Sequence, residues 1–356
     1  MKPKSSEHYH LVGVGGVGMN AVAQILLAQG YLVSGSDRYL DSGQNLEVLQ
    51  KLRVNGVRLV PQDGSGISIK TSGVIVSTAI EPDNPDIAEA RSKNVPVIHR
   101  SQMLARLVEG HRLIAVTGTS GKTTVTGMVG WLLERLNLDP SVVNGGVLLN
   151  WRHGHRIGNV RGGQSGLWVL EVDESDRSLL NFTPDWAVIT NISKDHFELD
   201  EVTRLFQQFA EKVKTGIVCG SGVGNLLHVP VKIVEEPFEL RLQNGVSTFV
   251  YKDHVFEVPL IGKHNAENAF AAVVLCDQLG CDLGAVKSAL HAFKGISRRL
   301  ERVGELGGVT VFDDYAHNPA KIRATWQAVA GQYPRVLGIW RPHGFGPLNL
   351  MMEDLV

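Results

Sequence analysis

Short apolar runs alternate along this chain with longer stretches whose apolar residues recur every three or four positions, the rhythm of parallel strands joined by helical crossovers. A strand over residues 9–12 runs into Gly13-Val14-Gly15-Gly16-Val17-Gly18 and then a helix over 19–29, stopped by Gly30. A second strand, 31–34, leads to Asp37, and strands at 73–77 and 95–98 follow, so that a first unit closes near Val108. The next strand, 113–116, meets Thr117-Gly118-Thr119-Ser120-Gly121-Lys122-Thr123-Thr124. The helix after it sets Val125, Met128, Val129, Leu132, Leu133 and Leu136 along one face. Strands at 168–172 and 186–190 carry acidic and histidine motifs at their carboxyl ends, the edge at which open α/β sheets bind ligands. Residues 246–251 and 255–258 flank Lys252-Asp253-His254 and predict a hairpin, followed by helices over 266–279 and 283–293. After Arg298-Arg299 the pattern restarts with a strand at 309–312, a helix over 319–329 and a strand at 335–339.

The fold class predicted is α/β: a Rossmann-like unit at 1–108, a P-loop unit at 109–298, and at 299–356 the start of a third Rossmann-like unit. At ~150 residues per domain, 356 residues make about 2.4 domains, and the last unit is well short of the ~100 to 150 typical of one. Residues 350–356 read as the opening of a helix without a terminator, so the third unit is expected to be incomplete.

Charge narrows the partners. With 35 basic and 36 acidic residues there is no overall basic footprint for nucleic acid or a membrane surface, and any phosphate binding must be local. No apolar run reaches the ~18 residues of a membrane span, and the polar start has no signal-peptide core. Three irregularly spaced cysteines, Cys219, Cys276 and Cys281, fit neither a disulfide framework nor a CxxC metal site. A cytoplasmic protein, a monomer or a homodimer, acting on small molecules is expected.

Two glycine loops carry the candidate chemistry. Gly13, Gly15, Gly16 and Gly18 follow a strand and open a helix, where backbone N–H groups and the positive helix end meet a pyrophosphate; Asp37 stands where a ribose-binding acid would be. On this evidence alone a dinucleotide such as NAD is the first guess, against a bare strand-to-helix turn. The second loop, Gly118-Thr119-Ser120-Gly121-Lys122-Thr123, is a shortened Walker A motif, with Val116 where the long form has its first glycine. Successive N–H groups would cradle phosphates, Lys122 would neutralise them, and the Thr123 hydroxyl would reach Mg²⁺. Beyond it, Glu171-Val172-Asp173-Glu174-Ser175-Asp176 crowds four acids that repel one another unless a cation intervenes; the alternative is a solvated acidic loop.

Taken in order, these motifs resemble the Mur ligase family, most closely its alanine-adding branch. The resemblance rests on His10-Leu11-Val12-Gly13-Val14-Gly15-Gly16-Val17-Gly18-Met19, Ser34-Gly35-Ser36-Asp37, Ser77-Thr78-Ala79-Ile80 with Asp83-Asn84-Pro85, and the loop from Gly118 to Thr124. It continues through Asn144-Gly145-Gly146, the acidic loop, Asp195-His196, Gly262-Lys263-His264-Asn265-Ala266-Glu267-Asn268, Arg298-Arg299-Leu300-Glu301 and Asp313-Asp314-Tyr315-Ala316-His317-Asn318-Pro319, nearly the whole chain. It implies that Gly13, Gly15, Gly16, Gly18, Met19, Ser36 and Asp37 hold a UDP-linked sugar, which displaces NAD. It implies that Gly118, Thr119, Ser120, Gly121, Lys122, Thr123 and Thr124 bind ATP with Asn265 and Asn268. Thr123, Glu171 and His196 would hold Mg²⁺, and Arg299 and Asp314 would complete the site beside Lys122, Glu171 and His196; capping or salt-bridge roles are the alternatives for the asparagines, Arg299 and Asp314.

The activity implied is ATP-dependent amide formation in peptidoglycan precursor synthesis, joining an amino acid, L-alanine in that branch, to UDP-N-acetylmuramate through an acyl phosphate. Two departures from the branch stand out: Ser120 stands where it usually has histidine, and Gly344 and Pro347 replace two arginines that lie by the incoming amino acid's carboxylate. The second departure leaves the amine donor open. A ligase recycling a ready-made tripeptide onto the same sugar nucleotide, or a nucleotide-binding fragment without ligase activity, are the other readings.

Overall fold

The structure, a computed structural model, describes residues 6–341 apart from 45, 194–197, 235–236 and 244. Its first sheet holds β1 (His8–Val12), β2 (Leu32–Ser36), β3 (Arg58–Leu59), β4 (Gly73–Val76) and β5 (Val97–His99), parallel throughout in the order β3-β2-β1-β4-β5. The order reverses between β1 and β4, which opens a crevice at their carboxyl ends. Around this sheet lie α1 (Val17–Ala28), α2 (Arg38–Asp41), α3 (Glu47–Val54), α4 (Pro85–Ser92) and α5 (Arg100–Val108). α1 opens straight from the glycine turn, where Gly13 has φ +70°, a backbone value that favours glycine. α4 starts at Asn84, whose side chain accepts from the Asp86 N–H, with Pro85 in the first helical turn.

The second sheet comprises β6 (Arg112–Thr117), β7 (Ser141–Val143), β8 (Val160–Arg161), β9 (Leu167–Glu171), β10 (Trp186–Ile189), β11 (Gly216–Gly220) and β12 (Lys232–Val234) in the order β12-β11-β10-β6-β9-β7-β8. Its pairs are parallel except β7–β8. Side chains alternate between two buried faces, as they must in a covered parallel sheet. Leu113, Ala115, Trp168, Leu170 and Ala187 join a core that is continuous with the first sheet, whereas Ile114, Val116, Val169 and Val188 face the helices. Those helices are α6 (Lys122–Arg135), α7 (Leu199–Ala210), α8 (Ser221–Gly224), α9 (Lys263–Gln278) and α10 (Leu283–His291). α7 and α8 differ from the others in packing on the core shared with the first sheet, α8 through Val223.

α6 differs from the one-sided helix its apolar stripe predicts, because Thr126, Gly127 and Gly130 on its other faces are buried as well. The reason is close approach: a Cβ on Gly127 would lie 2.5 Å from Ile296 Cδ1, and one on Gly130 2.9 Å from Val142 Cγ1. Small residues there let neighbouring elements pack against the helix backbone.

The predicted hairpin is present as β14 (Val246–Tyr251) and β15 (His254–Val258), with β13 (Phe238–Gln243) added antiparallel on its outer edge. Its two turn residues, Lys252 and Asp253, have φ of +45° and +62°, the signature of the type I′ turn that matches strand twist. Beyond Arg299, β16 (Glu301–Leu306) and β17 (Val309–Asp313) form a two-stranded antiparallel hairpin, followed by α11 (Pro319–Ala330). The strand expected at 335–339 does not form. It has no sheet partner among the described residues, and an isolated strand cannot satisfy its backbone groups; Leu337 and Ile339 are left 88 % and 94 % exposed.

Candidate active site

The loop between β6 and α6 needs glycine at both ends. Gly118 has φ +128° and Gly121 φ +87°; a Cβ on Gly118 would fall 2.1 Å from Thr190 Oγ1, and one on Gly121 2.5 Å from Asn268 Oδ1. The end of β10 holds the loop from below. The Thr119 N–H donates to the Asn191 carbonyl at 3.0 Å, the Ser120 N–H donates to Asn191 Oδ1 at 3.0 Å, and Asn191 Nδ2 donates to the Ser120 carbonyl at 2.8 Å. Two N–H groups of the predicted cradle are therefore taken by protein. The donors left for an anion are those of the first turn of α6, which have no partner within the helix.

Lys122 Nζ donates to Glu174 Oε2 at 2.7 Å and to the Gly118 carbonyl at 2.8 Å, with Asp173 Oδ1 at 3.8 Å. Burial works against its ammonium, but the Glu174 and Asp173 carboxylates outweigh burial and hold its pKa above the ordinary lysine value. Burial pushes the Glu174 carboxyl up, against the pull of Lys122.

The four acids do not share one cation. Glu174 and Asp173 take Lys122. Glu171 accepts from the Thr123 hydroxyl at 2.9 Å and the Gly145 N–H at 2.6 Å. Asp176 accepts from the Ser178 N–H at 2.9 Å and lies 3.7 Å from Arg100 and 4.0 Å from His99. Their mutual repulsion is thus answered residue by residue, which the crowded spelling of the motif does not reveal.

Two clefts open at the carboxyl edges of the sheets. One, of about 480 Å³, is lined by Ser120, Gly121, Thr123 and Thr124 from the loop, Asn265 and Asn268 from α9, and Arg299 and Asp314 from the last unit. These are residues predicted for ATP, brought together from three parts of the chain. Gly118, Thr119 and Lys122 shape the loop without lining this cleft. Asn265 is buried with its amide donating to the Ile261 carbonyl at 2.8 Å, and both oxygens of Asp314 are engaged, by the N–H groups of Leu300 and Ala316 at 2.7 and 2.8 Å and by the Thr325 hydroxyl at 3.1 Å. Asp314 therefore fixes the turn that presents Arg299, whose guanidinium lies 5.7 Å from the Tyr315 ring centre. His264 also lines the cleft; burial lowers its pKa, opposed by Asp314.

The second cleft, of about 490 Å³, is lined by Gly13, Gly16, Gly18, Met19 and Asp37 from the first unit and by Asn144, Gly145, Glu171 and Asp173 from the second. Gly15 and Ser36 are not on its wall. The Gly15 N–H donates to Asp37 Oδ2 at 2.8 Å, and the buried Ser36 hydroxyl donates to Asp86 at 2.5 Å, so both act beneath the surface. Asp37 spends its other oxygen on the Tyr39 N–H at 3.0 Å, which makes it a brace for the loop. Asn144 on this wall is buried, with its amide donating to the Gly146 carbonyl at 3.0 Å and its Oδ1 unpartnered among the described residues. Arg100, which the motifs do not single out, lies where a Cβ on Gly18 would be 3.0 Å from its guanidinium; with Arg38 it supplies positive charge to this wall, and it reaches toward Asp176 of the other unit. His196 lies outside the described residues, as do Asp195, Gly344 and Pro347.

Family models match in the same order as these parts: "Mur ligase family, catalytic domain" over residues 8–112, "Mur ligase middle domain" over 116–214 and "Mur ligase, glutamate ligase domain" over 298–341. A protein named UDP-N-acetylmuramate–L-alanine ligase from Synechococcus sp. (strain JA-2-3B'a(2-13)) is 37 % identical across 97 % of this chain and 74 % of its own length. The chain belongs to the Mur ligase family. Among solved Mur ligases, the crystal structure of the UDP-N-acetylmuramate-alanine ligase of Thermotoga maritima superposes with a TM-score of 0.81 at 29 % identity, covering 92 % of this chain and 78 % of that one. A UDP-N-acetylmuramate:L-alanyl-gamma-D-glutamyl-meso-diaminopimelate ligase from Neisseria meningitides shares the fold, with a TM-score of 0.70 at 23 % identity over 83 % of this chain and 100 % of its own. No helix among the described residues is long and apolar enough to cross a membrane.

Proposed function

We propose that this chain is an ATP-dependent ligase of peptidoglycan precursor synthesis that joins L-alanine to UDP-N-acetylmuramate. The observation that carries the proposal is the position of Glu171: it lines the sugar-nucleotide cleft while its carboxylate accepts from Thr123 of the ATP cleft. A muramate carboxylate and the terminal phosphate of ATP are thereby brought to one place from two sides. The three units are 1–108 for the UDP-sugar, 109–298 for ATP, and 299–356 as part of a third. A cytoplasmic monomer or homodimer acting on small molecules, with no nucleic-acid or membrane partner, fits the near-neutral charge.

The chemistry joins two anions first. The muramate carboxylate oxygen attacks the γ-phosphorus, the bond to the β-phosphate oxygen breaks, and ADP leaves an acyl phosphate. The neutral amine of the amino acid then attacks the acyl carbon, phosphate departs, and the amine proton passes to solvent. Lys122 turns from Glu174 to the phosphates, the N–H groups at the start of α6 receive their oxygens, and positioning supplies the rest. Thr123 Oγ1 and Glu171 Oε1, 2.9 Å apart, are hard oxygen donors of the kind that suits Mg²⁺ with phosphate ligands, and His196 would be the third residue. Mg²⁺ held there would neutralise phosphate charge.

The test is ADP release in mixtures lacking one component. Release that requires UDP-N-acetylmuramate and L-alanine together is expected. Release that needs no UDP-muramoyl acceptor would sink the proposal. A preference for L-alanyl-γ-D-glutamyl-meso-diaminopimelate over L-alanine would favour the recycling ligase, and nucleotide binding without turnover would favour a binding fragment.

A further inference from the structure

α9 begins at the ATP cleft with Asn265 and Asn268 and, over 16 residues, runs to a turn at its far end, about 24 Å away at 1.5 Å per residue. The turn is a Schellman closure. Gly280 has φ +77°, its N–H donates to the Asp277 carbonyl at 2.9 Å, and the Cys281 N–H donates to the Cys276 carbonyl at 3.0 Å. This pair of bonds folds the residue after the glycine back onto the side chain five positions earlier, a contact that is usually aliphatic. Here both partners are thiols, each close enough to shift the acidity of the other. Cys276 is fully buried among α6, α9 and α10, whereas Cys281 is half-buried at the turn. Neither residue touches the two clefts.

We propose that Cys276 and Cys281 are a redox-convertible pair, closed to a disulfide by exchange with a small-molecule disulfide such as oxidised glutathione. The Cys281 thiolate attacks one sulfur of the reagent, whose S–S bond breaks and releases one thiolate, leaving a mixed disulfide on Cys281. Cys276 then loses its proton to the released thiolate and attacks Cys281 Sγ, expelling the second reagent thiol. Two protein thiols are oxidised and one reagent disulfide is reduced to two thiols, with no other electron carrier. The order follows from position and acidity. The neighbouring Cys276 thiol lowers the Cys281 pKa, against burial and Asp277, while Cys281 and burial push Cys276 up. The exposed partner attacks and the buried one resolves.

Intact-mass measurement of the full chain after treatment with excess oxidised glutathione, followed by peptide mapping, tests this. Wild type is expected to become lighter by two hydrogens, with Cys276 joined to Cys281, and to return to its starting mass with dithiothreitol. Cys276→Ser is expected to stop at a stable glutathione adduct on Cys281, while Cys281→Ser leaves Cys276 unmodified. Wild type that keeps its reduced mass, or that accumulates the Cys281 adduct without closing, would overturn the proposal; both outcomes are read on the unaltered protein and do not depend on a variant folding.

Discussion

Lys122 is tied to the acidic loop by charge as well as by its place in the phosphate loop. Its partner Glu174 has a side chain only 3 % exposed, so removing the ammonium strands a buried carboxylate. Breaking a buried pair from one side costs about 3 kcal/mol, more than the pair itself contributes, because the remaining charge is uncompensated. Lys122→Ala is therefore expected both to abolish ATP-dependent turnover and to lower unfolding free energy by about 3 kcal/mol at pH 7. Adding Glu174→Gln should restore most of the stability and none of the turnover. The pH dependence has a definite sign. A carboxyl whose folded pKa is raised contributes fully below its unfolded value of 4.5 and loses that contribution as pH rises through the folded value. The stability deficit of Lys122→Ala should shrink as pH falls towards 4.5 in denaturant titrations. A double variant no more stable than Lys122→Ala would show that Glu174 does not depend on the lysine.

At the scale of elements, the sequence was legible where a local rule decides the outcome. Strand, glycine loop and helix follow from periodicity at β1–α1 and β6–α6, and the β14–β15 hairpin from two apolar runs flanking a short polar turn. What lay beyond it depends on partners distant in the chain. α6 is covered on its small-residue side by Ile296 and Val142, and residues 335–339 fail as a strand because no neighbour among the described residues pairs with them. In the site, residue types pointed to Lys122, Thr123 and Glu171, while Asn191 as the brace of the phosphate loop and Arg100 as a cation of the second cleft come from contacts across more than seventy residues. Gly118 separates the two kinds of information. Its spacing marks the loop, but only the contact with Thr190 shows why no side chain fits. Gly118→Ala is expected to cost about 3 kcal/mol or more, from strain at φ +128° and a clash with Thr190 Oγ1 at 2.1 Å, and to remove ATP binding in calorimetry. Gly110→Ala, at φ +76° with nothing within 4 Å, should cost about 1 kcal/mol. Equal costs would mean that the loop yields and the close packing is not what requires glycine.

For the whole molecule, chemistry at Glu171 requires that the first sheet be held in one orientation on the second. Beside the apolar core that the two sheets share, a buried polar contact is centred on Asn159, which follows α6 and β7 in the chain yet binds α1 of the first unit. Its amide donates to Asn20 Oδ1 at 2.8 Å and to the Val17 carbonyl at 3.3 Å, and its Oδ1 accepts from Gln24 at 3.0 Å. Asn159 is 0 % exposed, so none of these bonds is readily replaced by water. α1 starts at the glycine loop of the sugar-nucleotide cleft, and a shift of this joint moves that loop relative to Glu171. Misplacing reacting groups by about 1 Å can cost a hundredfold in rate even when each substrate still binds. Asn159→Ala is accordingly expected to lower kcat by one to two orders of magnitude, leave ATP affinity within about twofold, and cost about 1 to 3 kcal/mol of stability from the buried bonds lost to Asn20, Val17 and Gln24. Asn20→Ala should reproduce the kcat loss from the other side of the joint, and the two changes together should cost little more than either alone, as expected of residues that act as one contact. A wild-type kcat in Asn159→Ala, with the stability loss present, would show that the two units find their orientation from the substrates rather than from this joint.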